Sequence, residues 1–166
     1  MKKIFKSSRK SFTVVELLIS MAVTAAVLTM LGSIFTTILS VQTESEIASY
    51  MDQDSRFIIN RFNYDIPRAS LVLQPSSFGT TASTLQLLIN GINYSYSLSN
   101  GDLILTNNQG TNKLNGFGTH ISGLTFRNLG RINGRNTVQI DFTLSTRFAG
   151  IGRVAPKTIH TTVGVR

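Results

Sequence analysis

The sequence contains no cysteine and no tryptophan, and only three prolines and two histidines in 166 residues. Without cysteine, no disulfide can staple an exported domain and no thiolate metal site can form. His120 and His160 stand apart from the spaced carboxylates or thiols that a zinc site requires, so each reads as a surface or strand-face residue. There is no Gly-x-Ser-x-Gly, and no phosphate-binding glycine loop closing in Lys-Ser or Lys-Thr. Asp52 and Asp54 are two apart on a predicted helix, so they point in different directions and do not form an acid–base pair. A catalytic role therefore finds no residues to carry it, and no metal or other cofactor is implied.

Charge and proline are also missing from one long stretch. Between Leu17 and Val41 there is neither. At ~1.5 Å per residue this run makes a helix of roughly 37 Å, enough to cross a ~30 Å hydrocarbon core with some tilt. A secretory signal peptide has a shorter apolar core followed by a small-residue cleavage site, so a single-pass anchor is the better reading. Lys2, Lys3, Lys6, Arg9 and Lys10 precede the run, and Glu44 and Glu46 follow it. The positive-inside rule then sets the amino terminus in the cytoplasm and the residues after Val41 outside.

Glu16 stands at the mouth of this run. A carboxylate at the edge of hydrocarbon costs up to a few kcal/mol and needs a partner. One reading is that it snorkels to the headgroups, one turn away. The other is that its partner arrives later. Cleavage between Ser11 and Phe12 would leave an ammonium on Phe12, four residues from Glu16, and in a packed array Glu16 of one chain would meet the Phe12 ammonium of its neighbour.

The stretch Phe12-Thr13-Val14-Val15-Glu16-Leu17-Leu18, behind a short basic leader and ahead of a long apolar helix, resembles the amino-terminal signal of type IV pilins and type II secretion pseudopilins. The resemblance covers about residues 1–66. One position departs from it: Ser11 stands where the family normally has glycine. The resemblance implies that prepilin peptidase cuts between Ser11 and Phe12 and that Phe12 is then N-methylated. It implies an inner-membrane assembly platform and other pilins or pseudopilins as partners, in a homo- or hetero-oligomeric filament, with membrane lipid around the helix beforehand. The segment before Pro67 and the strand-rich remainder look similar to the J-type and W-type minor subunits.

The formal net charge of +8 shrinks once residues 1–11 are set aside, because 11 basic and 8 acidic side chains remain. Within the span, Ala22, Ala26, Thr29, Ser33, Thr36 and Ser40 alternate at steps of four and three, a seam of small residues along one helix face. In lipid such a seam lets helices approach closely, although an alanine- and threonine-rich anchor also produces it by chance. No proline interrupts the span, so one continuous helix is expected, softest at Gly32-Ser33.

From Glu44 to Ile66, the residues Ile47, Tyr50, Met51, Phe57, Ile58, Phe62 and Ile66 recur at helical spacing, with Asp65 among the polar positions between them. This predicts an amphipathic continuation packed on the later domain and ended by Pro67. Residues 12–66 would form a rod of roughly 80 Å.

The remainder switches to a period of two. Residues 68–79 read as irregular. Leu85–Ile89, Ile92–Leu98 and Leu103–Thr106, joined by Asn90-Gly91 and Asn100-Gly101, predict a three-stranded meander with type I′ turns. Residues 107–118 read as a polar loop, 121–127 as a short strand, 131–135 as a turn and 148–156 as a loop. Val138, Ile140, Phe142 and Leu144 alternate with polar residues in the clearest strand, and 159–165 closes the chain as another. Arg127, Arg131, Arg135, Arg147, Arg153, Lys157 and Arg166 face only Asp141 in that stretch. They read as a solvated basic face, the alternatives being contact with an acidic subunit or with DNA phosphates.

The expected architecture is therefore α+β. A leader (1–11) precedes a transmembrane or filament-core helix (12–41), which runs on as an amphipathic helix (42–66) packed on an antiparallel β head (67–166). The expected function is that of a minor pilin or pseudopilin. The alternative is a permanently anchored binding or adhesion module with its leader uncut.

Overall fold

The computed structural model describes residues 13–130, 136–148 and 154–166. Helix α1 runs without a break from Val14 to Asp65 and is followed by a 3-10 turn, Ile66–Arg68, that contains Pro67. Proline fixes its own φ and disfavours α geometry before it, which stops the α-helix within a residue of the expected place. After the turn come, among the described residues, nine antiparallel strands: β1 (Leu71–Gln74), β2 (Thr81–Ala82), β3 (Leu85–Ile89), β4 (Ile92–Ser99), β5 (Asp102–Asn107), β6 (Gly110–Lys113), β7 (Thr119–Asn128), β8 (Thr137–Thr146) and β9 (Lys157–Gly164). This is an α+β, pilin-like arrangement of one long amino-terminal apolar helix followed by antiparallel sheets. Contacts divide the chain after Val41 into two units.

In the unit Gln42–Arg166, the strands form two sheets rather than one. The orders are β1-β3-β4-β5-β6 and β2-β7-β8-β9. The meander is as the two Asn-Gly pairs predict. Asn90 and Gly91 have φ of 50° and 79°, and Asn100 and Gly101 have 51° and 78°, the positive pairs that a type I′ turn requires. Gly101 is doubly constrained, because a Cβ there would run into the ring of His120. Three short strands, β1, β2 and β6, are not among the expected ones. β1 lies in the stretch taken as irregular, and pairs Leu71 with Leu88 and Val72 with Leu87. β6 lies inside the stretch taken as a loop, and all four of its residues are exposed. It pairs with β5 and buries no side chain, so no apolar alternation marks it. The turn expected at 131–135 and most of the loop at 148–156 lie outside the described residues.

The helix inside this unit buries Ile47, Met51, Ile58 and Phe62, and the turn after it buries Ile66. Tyr50 and Phe57, expected on the same face, are instead exposed, at 51% and 54%. They are seven residues apart and sit on the flank of the buried stripe, where the sheets do not reach. Phe62 makes the joint between the sheets. Its ring lies 5.0 Å from that of Tyr96 on β4 and 5.8 Å, edge-on, from that of Phe126 on β7. Leu85, Leu87 and Leu103 line one inner face, and Ile121, Val138, Ile140, Phe142 and Leu144 the other. The sheets also touch directly, where the Ile121 N–H donates to the Gly101 carbonyl at 2.9 Å.

Two polar clusters fix the helix against this core. Asp65, expected on the wet side, has no exposed surface at all. The Tyr96 hydroxyl donates to its Oδ2, Arg61 Nε lies 2.6 Å from the same oxygen, and Arg68 approaches Oδ1 at 3.9 Å. A buried carboxylate persists only with such company. Burial, then the bond to Asp65, pushes the Tyr96 phenol far above its ordinary range, so it remains a donor.

The second cluster lies where β5 meets the chain leading into β7. The buried side chain of Asn115 accepts the Leu103 N–H at 2.9 Å and donates to Asp102 and to the Thr119 carbonyl, both at 3.1 Å. Asp102 also holds Lys113 at 2.9 Å and Arg147. Asp54 on α1 accepts the Gly116 N–H at 2.8 Å and the Thr119 hydroxyl. Asp52 turns the other way, to Lys157 at 2.6 Å. Arg147 and Lys157, two of the residues read as a free basic face, are thus paired within the chain; Arg131, Arg135 and Arg153 lie outside the described residues.

Tyr96→Phe keeps the ring and removes the donor to a buried carboxylate. It is expected to lower unfolding free energy by about 1–3 kcal/mol, read as a fall in thermal midpoint by circular dichroism. Asp102 supplies a pH test. Burial opposes its ionisation, but the bonds from Lys113 and Asn115 and the charges of Lys113 and Arg147 outweigh that and hold its carboxyl below the usual range. A carboxyl depressed in the folded state stabilises above its unfolded pKa of about 4, and that contribution is lost as pH falls through the folded value. The urea midpoint should therefore drop below about pH 4, and Asp102→Asn should flatten that part of the profile while lowering the midpoint at neutral pH.

Candidate functional site

The unit up to Val41 consists of the first part of α1, and its described residues are exposed throughout. The helix is long and apolar enough to cross a membrane, with a mean hydropathy of 2.2 in its most apolar window and none of that window buried. Val15, Leu18, Met21, Leu28, Leu31 and Phe35 all stand at more than half exposure. A helix that is apolar all round and bare in the single chain must be covered by lipid or by other helices. A single apolar amino-terminal helix of this kind is consistent with membrane anchoring.

The first turn is built by Thr13. Its hydroxyl accepts the Glu16 N–H at 3.3 Å, and its carbonyl accepts the Leu17 N–H at 3.2 Å. Thr13 is thus the cap of α1, and it satisfies one of the amide groups that a helix start leaves without an intrahelical partner. Glu16 follows three residues later, the spacing of a capping box, although its carboxylate makes no hydrogen bond to the Thr13 N–H. Its sequence signal is Thr-x-x-Glu ahead of an apolar run, which is absent from the expectations above. A carboxylate in the first turn also gains up to ~1 kcal/mol from the helix dipole. Glu16 is exposed, and among the described residues no cation lies within ion-pair distance of it.

Ser11 and Phe12, the expected cleavage and methylation positions, lie outside the described residues. The expected packing residues Ala22, Ala26, Thr29 and Ser33 are all exposed on α1. Their hydroxyls are occupied. Thr29 Oγ1 donates to the Ala25 carbonyl at 2.8 Å and Ser33 Oγ to the Met30 carbonyl at 2.8 Å. Thr24, Thr36, Thr37 and Ser40 bond back in the same way at 2.8–2.9 Å. Such back-bonding leaves no unmet donor pointing sideways. The seam therefore offers a neighbour a narrow surface rather than free hydrogen bonds, and the helix continues unbroken through Gly32-Ser33.

Among the described residues no three of His, Asp or Glu gather closely enough to hold a metal ion. His160 is exposed and bonds through Nδ1 to Asp141 Oδ1 at 2.7 Å, while Gln139 Nε2 reaches the other carboxylate oxygen at 2.9 Å.

Comparison with known proteins adds a family motif. Residues 6–32 match the family model described as the prokaryotic N-terminal methylation motif. No curated protein and no solved structure matches the chain. The motif spans the junction at Ser11-Phe12, the Thr13 cap, Glu16 and the first half of the bare apolar helix. This match supports a type IV pilin-like family for the chain, as a pilin or pseudopilin-like precursor.

Proposed function

We propose that this protein is a minor pilin or pseudopilin. It waits in the cytoplasmic membrane with its amino terminus inside and its head outside. Prepilin peptidase removes residues 1–11 and Phe12 is N-methylated. The assembly platform then draws the chain into a filament at the cell surface or in the periplasm. The chemistry is structural: an apolar helix passes from lipid into a bundle of like-built helices. Glu16 sets the axial register by meeting the Phe12 ammonium of a neighbouring subunit, and Ala22, Ala26, Thr29 and Ser33 let the helices close together.

The observation that carries this reading is the bare helix itself. Every described residue up to Val41 is exposed, uncharged apart from Glu16, and opened by a methylation motif. An anchor that only tethers a head has no use for a carboxylate at that depth or for a processed amino terminus. Ser11, in place of the family's glycine, favours a second reading, in which the leader stays on and the protein remains an anchored binding or adhesion module. The amino-terminal mass of the protein from its host separates the two. A chain beginning at N-methyl-Phe12 fits assembly, and an intact leader fits the anchor.

Glu16→Ala tests the register directly. The variant is expected to insert in the membrane at the level of the parent protein and to be absent from sheared filaments and from crosslinked oligomers. Incorporation equal to the parent's would remove Glu16 from assembly.

A further inference from the structure

The head carries a cleft of about 370 Å³ on the side of α1 away from the Asp52–Lys157 pair, lined in part by Tyr50, Asp54, Phe117, Gly118 and Phe148. Its walls are aromatic. The rings of Phe117 and Phe148 stand 6.2 Å apart at 59°. Phe117 is 79% exposed, which is costly for a phenylalanine whose one ring partner among the described residues is the tilted ring of Phe148. Tyr50 closes the near end, its hydroxyl donating to Glu46 Oε1 at 3.0 Å. Gly118 lets the loop lie flat on Phe148, since a Cβ there would come within 3.2 Å of that ring.

The charges around the cleft are unbalanced. Four acidic residues of the head have a basic partner: Asp52 has Lys157, Asp65 has Arg61, Asp102 has Lys113 and Arg147, and Asp141 has His160. Glu44, Glu46 and Asp54 have none among the described residues, and the last two stand beside the cleft. Asp54 Oδ2 accepts the Gly116 N–H and the Thr119 hydroxyl, and among the described residues no bond is made to Oδ1. Two uncompensated carboxylates therefore border three exposed aromatic rings.

Aromatic faces beside a carboxylate attract an organic cation, through the ring quadrupole and through charge. We propose that this cleft receives a basic side chain, arginine above all, presented by a partner protein. A planar guanidinium stacks on an exposed ring while its edge donates to a carboxylate, which matches Phe117 or Phe148 beside Asp54. A small quaternary ammonium fits less well. It has no N–H to offer Asp54, and the rings leave one side open where a cage would enclose it. Arginine and aromatic residues are also the types enriched at protein interfaces. The site lies wholly within Gln42–Arg166 and does not depend on processing of the leader.

The test uses the full chain in detergent micelles, labelled with fluorophenylalanine and followed by fluorine NMR, with Phe117→Leu and Phe148→Leu assigning the two signals. A capped Gly-Arg-Gly peptide is titrated against its citrulline counterpart, which has the same shape and no charge. The arginine peptide is expected to shift the Phe117 and Phe148 signals saturably and the citrulline peptide to leave them in place. Asp54→Asn retains an oxygen for the Gly116 N–H and should weaken binding about two- to fivefold, as should Phe148→Leu. Equal shifts with citrulline, shifts spread over all phenylalanines, no saturable shift, or saturation by tetramethylammonium in place of the arginine peptide would each overturn the assignment.

Discussion

The head depends on one ring. Phe62 touches Tyr96 from one sheet and Phe126 from the other, so a single side chain of α1 belongs to both inner faces. Each sheet is half apolar and needs cover, and neither could obtain it from the other alone. Aromatic pairs at this separation add about 0.5–1.5 kcal/mol beyond the area they bury. One turn further on, Asp65 ties the same helix to the same Tyr96 by charge and hydrogen bond, so the apolar contact and the buried polar one agree on a single rotation of the helix. That agreement puts Tyr50 and Phe57 on the outside, although their apolar character alone would send them in.

The unit up to Val41 follows a different rule. Its described residues are exposed throughout, so their sequence is shaped for what lies around them rather than for a core. Large apolar residues on every face, one capped first turn and one carboxylate within that turn mark them. The methylation motif falls across these same residues. The physical oddity and the family signal thus coincide, and the support for a pilin-like family comes from residues 6–32.

The sequence was most legible where a local rule had no competitor. Asn90-Gly91 and Asn100-Gly101 announced their turns, Val138 to Leu144 their alternation, and Pro67 the end of the helix. It was least legible where partners distant in the chain decide the outcome. Asp65 reads as a surface residue in an i,i+4 pair with Arg61, because nothing nearby shows that Tyr96, 31 residues on, will enclose it. β6 has no side-chain pattern at all, and β1 is four residues long and ends at Pro75. The division into two sheets rests on where β7 finds its partners, which pairing of distant segments settles. In the helix, the Thr13 cap was readable from its spacing and was overlooked beside the louder signal of Glu16. The aromatic cleft was not readable, because Tyr50, Phe117 and Phe148 become neighbours only once the head has folded.

The hydroxyls along the apolar stretch of α1 each close onto a carbonyl of their own helix, from Thr24 through Ser40. Exchanging one oily surrounding for another therefore breaks no hydrogen bond there. Along that stretch the balance between two such surroundings is left to the fit of surfaces rather than to polar contacts.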